Sequence, residues 1–342
     1  MPRPPLAERL TAQALSGEPL RSPEAVAERL LAVQGQDPRG ARLAVRARTA
    51  GVSAADVDRA LTEERSLLIT WLNRGTLHLV RSEDYPWLQA LTTPPLRTSA
   101  ARRLRQEGVG EKDVERAVRI VEKALADEGP LTRAQLRERL ERKKVPTAGQ
   151  ALIHILFLVA VRGVAVRGPM VGKEHAYVLV RDWLGPQKPV DHERALAELA
   201  RRYLVGHGPA DDRDLARWAG LPLRDARAGL ETIAGELEER PDGLVELKRR
   251  AESEPLPPPR LLGAFDPLLL GWTSREEVVG PHKLLVTNNG IFRPFALIRG
   301  RAVARWGLSG GKVTIEHLDE VKKKDAAALE ADAQRVLEFL GF

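Results

Sequence analysis

The chain has 342 residues, 43% of them hydrophobic and 30% charged, a balance that reads as globular and as two to four modules. It has no cysteine, which excludes disulfides, thiolate zinc sites, iron–sulfur clusters and cysteine nucleophiles, and its seven histidines include no HxH or HxxxH pair for a metal. With 54 Lys and Arg against 47 Asp and Glu the net charge is +7, an excess that suits a nucleic-acid partner and equally suits an Arg- and Ala-rich composition without one.

The opening MPRPPLAERL has no apolar stretch, so no secretory leader is expected. Residues 151–161, the longest apolar run, are too short to span ~30 Å of hydrocarbon. Ser22 followed by Pro23 starts a helix, expected to run to about Val33 and to end at Gln34-Gly35-Gln36-Asp37-Pro38. Asp37 before Pro38 reads as the N-cap of a second helix that carries Arg39, Arg42, Arg46 and Arg48. Arg39, Arg42 and Arg46 share one helix face, either a row of phosphate contacts or a solvated surface. Capping accounts for Asp37; nothing comparable accounts for the two glutamines. Ser53 caps a helix over 53–61. Strands at 67–71 and 76–80 flank the turn Leu72-Asn73-Arg74-Gly75 as a hairpin. Arg74 there is a phosphate contact or a turn stabiliser. His78 shares a strand face with Thr76 and is a structural residue or a DNA contact.

An internal repeat follows. Asp113-Val114-Glu115-Arg116-Ala117 recurs as Asp191-His192-Glu193-Arg194-Ala195, and each opens an amphipathic helix that reaches a Gly-Pro, Gly129-Pro130 or Gly208-Pro209. A second helix starts after each, capped by Thr132 with Gln135 in one copy and by Asp211 or Asp212 in the other. Leu136 and Leu215 are matching core positions. Third helices are expected over 147–161 and 223–237. Strands at 163–167 and 177–181 close the first copy, and 244–247 closes the second. Helix, helix, turn, helix, hairpin is the order of a winged helix-turn-helix, and the first hundred residues hold a more divergent third copy. The Pro-rich segment 251–259 is a linker. Beyond it, strands at 283–287 and 291–298 flank Asn288-Asn289-Gly290, which is plain turn chemistry or a tip that approaches DNA together with Arg293. Further strands at 302–306 and 312–318 suggest a small barrel, with a helix at 324–340 packed on it. Trp71, Trp218, Trp272 and Trp306 are expected in the core.

Three segments together resemble a known family. They are Val33-Gln34-Gly35-Gln36-Asp37-Pro38-Arg39, then Thr70-Trp71-Leu72-Asn73-Arg74-Gly75-Thr76-Leu77-His78-Leu79-Val80, and last Ala264-Phe265-Asp266-Pro267-Leu268-Leu269-Leu270-Gly271 with Gly290-Ile291-Phe292-Arg293-Pro294 and Trp306. They resemble the glutamine-x-glutamine motif, the W-x-x-R-G-T-L-H signature and the C-terminal segment of the tandem winged-helix DNA glycosylases related to AlkZ and YcaQ. The resemblance runs in order through nearly the whole chain. It implies an α+β, mainly α fold of three tandem winged helices and a C-terminal β-barrel around a concave DNA surface. The implied boundaries are 1–108, 109–188, 189–252 and 253–342. Gln34 and Gln36 match the two catalytic glutamines. Gln36 stands where the YcaQ-like branch has an acid, which places the chain with the AlkZ-like branch. Gly35 departs from the larger apolar residue usual between them.

The expected activity is therefore monofunctional hydrolysis of the N-glycosidic bond of cationic alkylpurines, N7-alkylguanine above all, with bulky adducts and interstrand crosslinks in reach. Arg39, Arg42, Arg46, Arg74, His78 and Arg293 are the expected DNA contacts. No lysine lies near the glutamines for a Schiff-base step. No cofactor, metal or membrane partner is expected, and the protein is expected to act as a monomer on duplex DNA in the cytoplasm. The alternatives are a non-catalytic winged-helix regulator, which gives no reason for the paired glutamines, and a protein-interaction scaffold, which gives none for the Arg face.

Overall fold

Side-chain caps set the starts of several helices. The computed structural model describes residues 5–172, 174–250, 252–287 and 289–342, and the chain forms two compact units, one of Met1–Val57 with Leu196–Phe342 and one of Asp58–Ala195. The first unit opens with α1, Leu6–Ala12, and α2, Pro23–Leu30. Ser22 Oγ caps α2 by accepting from the Ala25 N–H at 3.1 Å. The helix stops short of Val33 because Leu31 adopts φ 63°, and the chain passes into β1, Val33–Gln34. The glutamines therefore do not end a helix. α3, Pro38–Arg46, follows, capped by Asp37 Oδ1, which accepts from the N–H groups of Arg39 at 2.8 Å and Gly40 at 3.0 Å. α4, Ala54–Thr62, starts at Ser53, whose hydroxyl accepts from the Asp56 N–H while the Asp56 carboxylate accepts from the Ser53 N–H.

In the second unit β2, Leu67–Leu72, and β3, Thr76–Arg81, pair as an antiparallel hairpin with Thr70 opposite His78 and Leu72 opposite Thr76. α5, Tyr85–Thr92, and α6, Pro94–Gln106, come next. α7, Glu111–Glu128, buries Val114, Val118, Val121 and Leu125. α8, Arg133–Arg142, carries the expected capping box: the Gln135 N–H donates to Thr132 Oγ1 and the Thr132 N–H to Gln135 Oε1. α9, Ala151–Val161, is apolar nearly all round because it packs against α6, α7 and β2. β4, Ala165–Val171, and β5, Glu174–Leu179, form a hairpin joined to the first where Ile69 meets Arg167, giving the order β3-β2-β4-β5. α10, Val180–Leu184, closes this stretch.

α11, His192–His207, leads to α12, Asp212–Ala219, which Asp211 caps by accepting from the Asp214 N–H at 2.7 Å. α13, Leu223–Thr232, ends before the expected 237, since Leu237–Glu239 is β6, paired with β7, Val245–Leu247. The C-terminal segment holds β8, Arg260–Leu262; α14, Glu276–Val279; β9, Phe295–Ile298; β10, Arg301–Ser309; β11, Lys312–His317; and α15, Lys323–Leu340.

These strands do not close into the expected barrel. They form an open sheet in the order β11-β10-β9-β8. The expected strand at 283–287 is a 3₁₀ turn over Lys283–Leu285 followed by a single bridge between Val286 and Phe292, because Pro294 has no N–H to continue a ladder. Asn288 of the expected turn lies outside the described residues. With four strands, one of them three residues long, closure is out of reach. α15 covers the apolar face instead: Leu329, Val336 and Phe339 pack with Leu261, Ala296, Ile298, Ala304 and Trp306, and Leu43 of α3 joins them. The chain is thus mixed α/β and about half helical. Among the described residues no helix is long and apolar enough to cross a membrane. Trp71, Trp218, Trp272 and Trp306 are all buried.

Candidate active site

The segment Gln34-Gly35-Gln36 runs from the last residue of β1 towards α3, so its placement depends on how α3 is held. Three contacts hold it. Gly40 passes so close to the C-terminal segment that a Cβ there would meet the Ala264 carbonyl oxygen at 2.3 Å, an approach only glycine permits. Arg46 makes a bidentate ion pair with Asp332 of α15 at 2.8 and 3.1 Å and also donates to the Leu261 carbonyl. Arg48, just past the helix, makes a second bidentate pair with Asp266, each bond 2.9 Å, with both side chains wholly buried. The Ala264-Phe265-Asp266-Pro267 motif is therefore the seat of the glutamine segment. Asp266 Oδ1 also accepts from the Leu268 N–H and so starts the 3₁₀ turn Pro267–Leu269.

The two glutamines differ in environment. Gln34 is 6% exposed, and its Oε1 is buried without a hydrogen-bond partner among the described residues. Gln36 is exposed and lies in the bend ahead of Asp37. Gly35 between them is buried and is not among the residues with positive φ, so the backbone does not require glycine there.

The Arg face divides. Arg39 is exposed, with Nη1 3.5 Å from the Leu308 carbonyl of β10. Arg42 is buried and donates to the Pro38 carbonyl at 2.9 Å. Arg46 is committed to Asp332 and Leu261, so the helical spacing placed a structural guanidinium beside an accessible one. Arg293 is exposed and lines a cavity of about 420 Å³ with Arg305 and Gly307, which brings it and Arg39 to the same stretch of β10.

Arg74 and His78 belong to the second unit. Arg74 is exposed in the β2–β3 turn. His78 is buried, with Nδ1 2.9 Å from the Thr76 carbonyl. Burial, aided by the Arg74 charge and opposed by that hydrogen bond, pushes its pKa down to about 3. A neutral imidazole donating from Nδ1 leaves an acceptor at Nε2 and brings no charge to a phosphate. Sequence reasoning passed over its neighbours. Asn73 is 1% exposed at φ 51°, its N–H donates to Thr92 Oγ1, and neither atom of its side-chain amide has a partner among the described residues. The Thr70 and Thr76 hydroxyls are also buried, with no partner among the described residues. The one sequence signal was an Asn preceding Arg-Gly in a tight turn, which reads as turn chemistry rather than burial.

The sequence profile of the family described as DNA glycosylase AlkZ-like matches residues 27–339. The chain belongs to this family. It is 29% identical over 344 residues to the interstrand DNA cross-link repair glycosylase of Streptomyces sahachiroi, covering 93% of this chain and 91% of that protein. The solved structure of Streptomyces sahachiroi DNA glycosylase AlkZ is 26% identical and superposes with a TM-score of 0.80 over 98% of this chain and 95% of that one. The protein is thus a DNA N-glycosylase acting on DNA, and the regulator and scaffold readings are set aside.

Proposed function

We propose that this glycosylase hydrolyses the N-glycosidic bond of cationic alkylated purines in duplex DNA, N7-alkylguanine above all, with Gln34 and Gln36 holding the attacking water. The observation that carries the reading is the buried Gln34 Oε1, an acceptor without a donor among the described residues. Leaving a buried acceptor unpaired costs about 1–3 kcal/mol, and a water held there for the reaction removes that cost. The exposed Gln36, two residues on, supplies a second amide on the same segment. An amide oxygen accepts a hydrogen bond from water but does not take its proton. It therefore contributes less than the roughly 10²–10⁴-fold of a true general base. That suffices only for a leaving group that is already activated. Alkylation at N7 puts a positive charge on guanine, which then departs neutral without protonation.

Interstrand crosslinks belong to the same chemistry, and the Streptomyces sahachiroi relative is named for their repair. A crosslinked base cannot enter a closed base-flipping pocket, so the substrate lies against an open surface. In this reading three winged helices lie within 1–108, 109–188 and 189–252, and the segment 253–342 follows them. Arg39, Arg293 and Arg74 contact phosphates, and Arg42, Arg46 and His78 support the surface from within. The enzyme works as a monomer on cytoplasmic DNA. The test is a panel of duplexes carrying N7-methylguanine, uracil or hypoxanthine. Release of N7-methylguanine alone is expected, with a rate nearly flat from about pH 6 to 9 because no carboxylate or imidazole serves as base. Release of uracil at a comparable rate overturns the reading.

A further inference from the structure

The C-terminal end of α3 faces a cavity of about 830 Å³, walled by the loop after the helix, by Pro258 to Arg260 and by α15. It is separated from the glutamine segment by the nine residues of α3, or ~14 Å at 1.5 Å per residue. Its charges do not balance. Arg46, Arg48, Arg260 and Arg335 all line it. Arg48 is closed off by Asp266. Asp332 is fully engaged: Arg46 bonds both its oxygens, Arg335 meets Oδ1 at 3.2 Å, and the Leu261 N–H donates to Oδ2 at 2.6 Å. Arg260 makes no ion pair among the described residues, and its hydrogen bond goes to the Ala47 carbonyl. Glu338, the remaining acid on the wall, is exposed and forms no ion pair either.

Capping α3 uses one of the five N–H donors of Arg260. The others, with the half-exposed Arg335 guanidinium, line a space large enough for a small ligand. We propose that this cavity is a binding site for an oxyanion of the phosphate class, held by Arg260 and Arg335. Planar guanidinium forks match tetrahedral oxyanions in geometry as well as charge. The environment of Arg260 agrees. Burial lowers its pKa to about 10, and the neighbouring Arg46, Arg48 and Arg335 add to that against the pull of Asp332. An anion relieves this crowding. It comes either from the DNA backbone, extending the footprint one helix length beyond the glutamines, or from a free phosphate compound.

The test compares wild type with Arg260→Met and Arg335→Gln. In the first arm inorganic phosphate replaces chloride at constant ionic strength, and binding is read by calorimetry and by thermal stabilisation. Wild type is expected to bind saturably, and each variant to lose about tenfold or more in affinity, the order of one charge-assisted hydrogen bond. In the second arm the salt dependence of duplex binding is measured. A slope lower by about one unit in the variants assigns the site to a DNA phosphate; an unchanged slope with lost phosphate binding assigns it to a free phosphate. If the variants match wild type in both arms, the proposal fails. Should Arg260→Met not fold, the more exposed Arg335→Gln carries both readouts alone.

Discussion

Replacing Asp266 tests the seat of the glutamine segment. Arg48 uses all five of its N–H donors: two go to the Asp266 carboxylate, two to the carbonyl and side-chain oxygens of Gln13, and one to the Ala44 carbonyl. Asp266→Ala strands a wholly buried guanidinium and orphans the Leu268 N–H as well. Breaking a buried pair from one side costs about 3–5 kcal/mol, a large share of the ~5–15 kcal/mol that holds a folded domain together. At roughly 2–4 °C per kcal/mol for a unit of this size, the melting temperature should fall by about 6–20 °C. Thermal and urea denaturation measure it. The paired change Arg48→Met with Asp266→Leu removes charge and counter-charge together and should recover most of the loss. An Asp266→Ala protein within about 0.5 kcal/mol of wild type would show that water reaches Arg48, and the reasoning would be wrong.

Acid should weaken both units. His78 and His207 are buried and held neutral at pKa about 3, in each case chiefly by burial. The unfolded chain takes up each proton near pH 6.5. Their contribution is thus complete above pH 6.5 and falls by about 1.4 kcal/mol per pH unit per histidine until pH nears 3. Urea midpoints at pH 7.5 and 5.0 should differ by the equivalent of about 2 kcal/mol in each unit, and His78→Gln and His207→Gln should flatten that dependence; equal midpoints contradict it. The two arginines of α3 should separate in a salt titration. Arg39→Gln should lower the slope of duplex binding by about one unit, whereas Arg46→Gln should leave the slope alone and destabilise the fold, since its partner Asp332 is buried. The opposite assignment would restore Arg46 as a phosphate contact.

What was legible in the sequence was local. The caps at Ser22, Asp37, Thr132 and Asp211 each depend on a residue two or three positions away, and all four are present. That the C-terminal sheet stays open was not legible, because closure depends on which distant strands pair, and alternating short strands with tight turns describe a barrel and an open sheet equally well. The Arg row shows the same limit. Spacing put Arg39, Arg42 and Arg46 on one face, but the partner that takes Arg46 out of solvent lies 286 positions away. For Arg48 the distance is 218 positions. The motifs identified the glutamines through resemblance, yet nothing local distinguished the buried Gln34 from the exposed Gln36. Asn73 was hidden for a similar reason: a polar residue in a tight turn reads as solvated, and its burial follows from the packing of the hairpin against α5.

Single-turnover release of N7-methylguanine from a duplex by Gln34→Ala and Gln36→Ala tests the catalytic role of the two glutamines most directly. Each change should slow release by about tenfold or more, within the range for groups that position a reacting water. Duplex affinity and the melting temperature should stay near wild type, since Gln34 Oε1 makes no hydrogen bond among the described residues that its loss would break. Wild-type release by both variants would contradict the account.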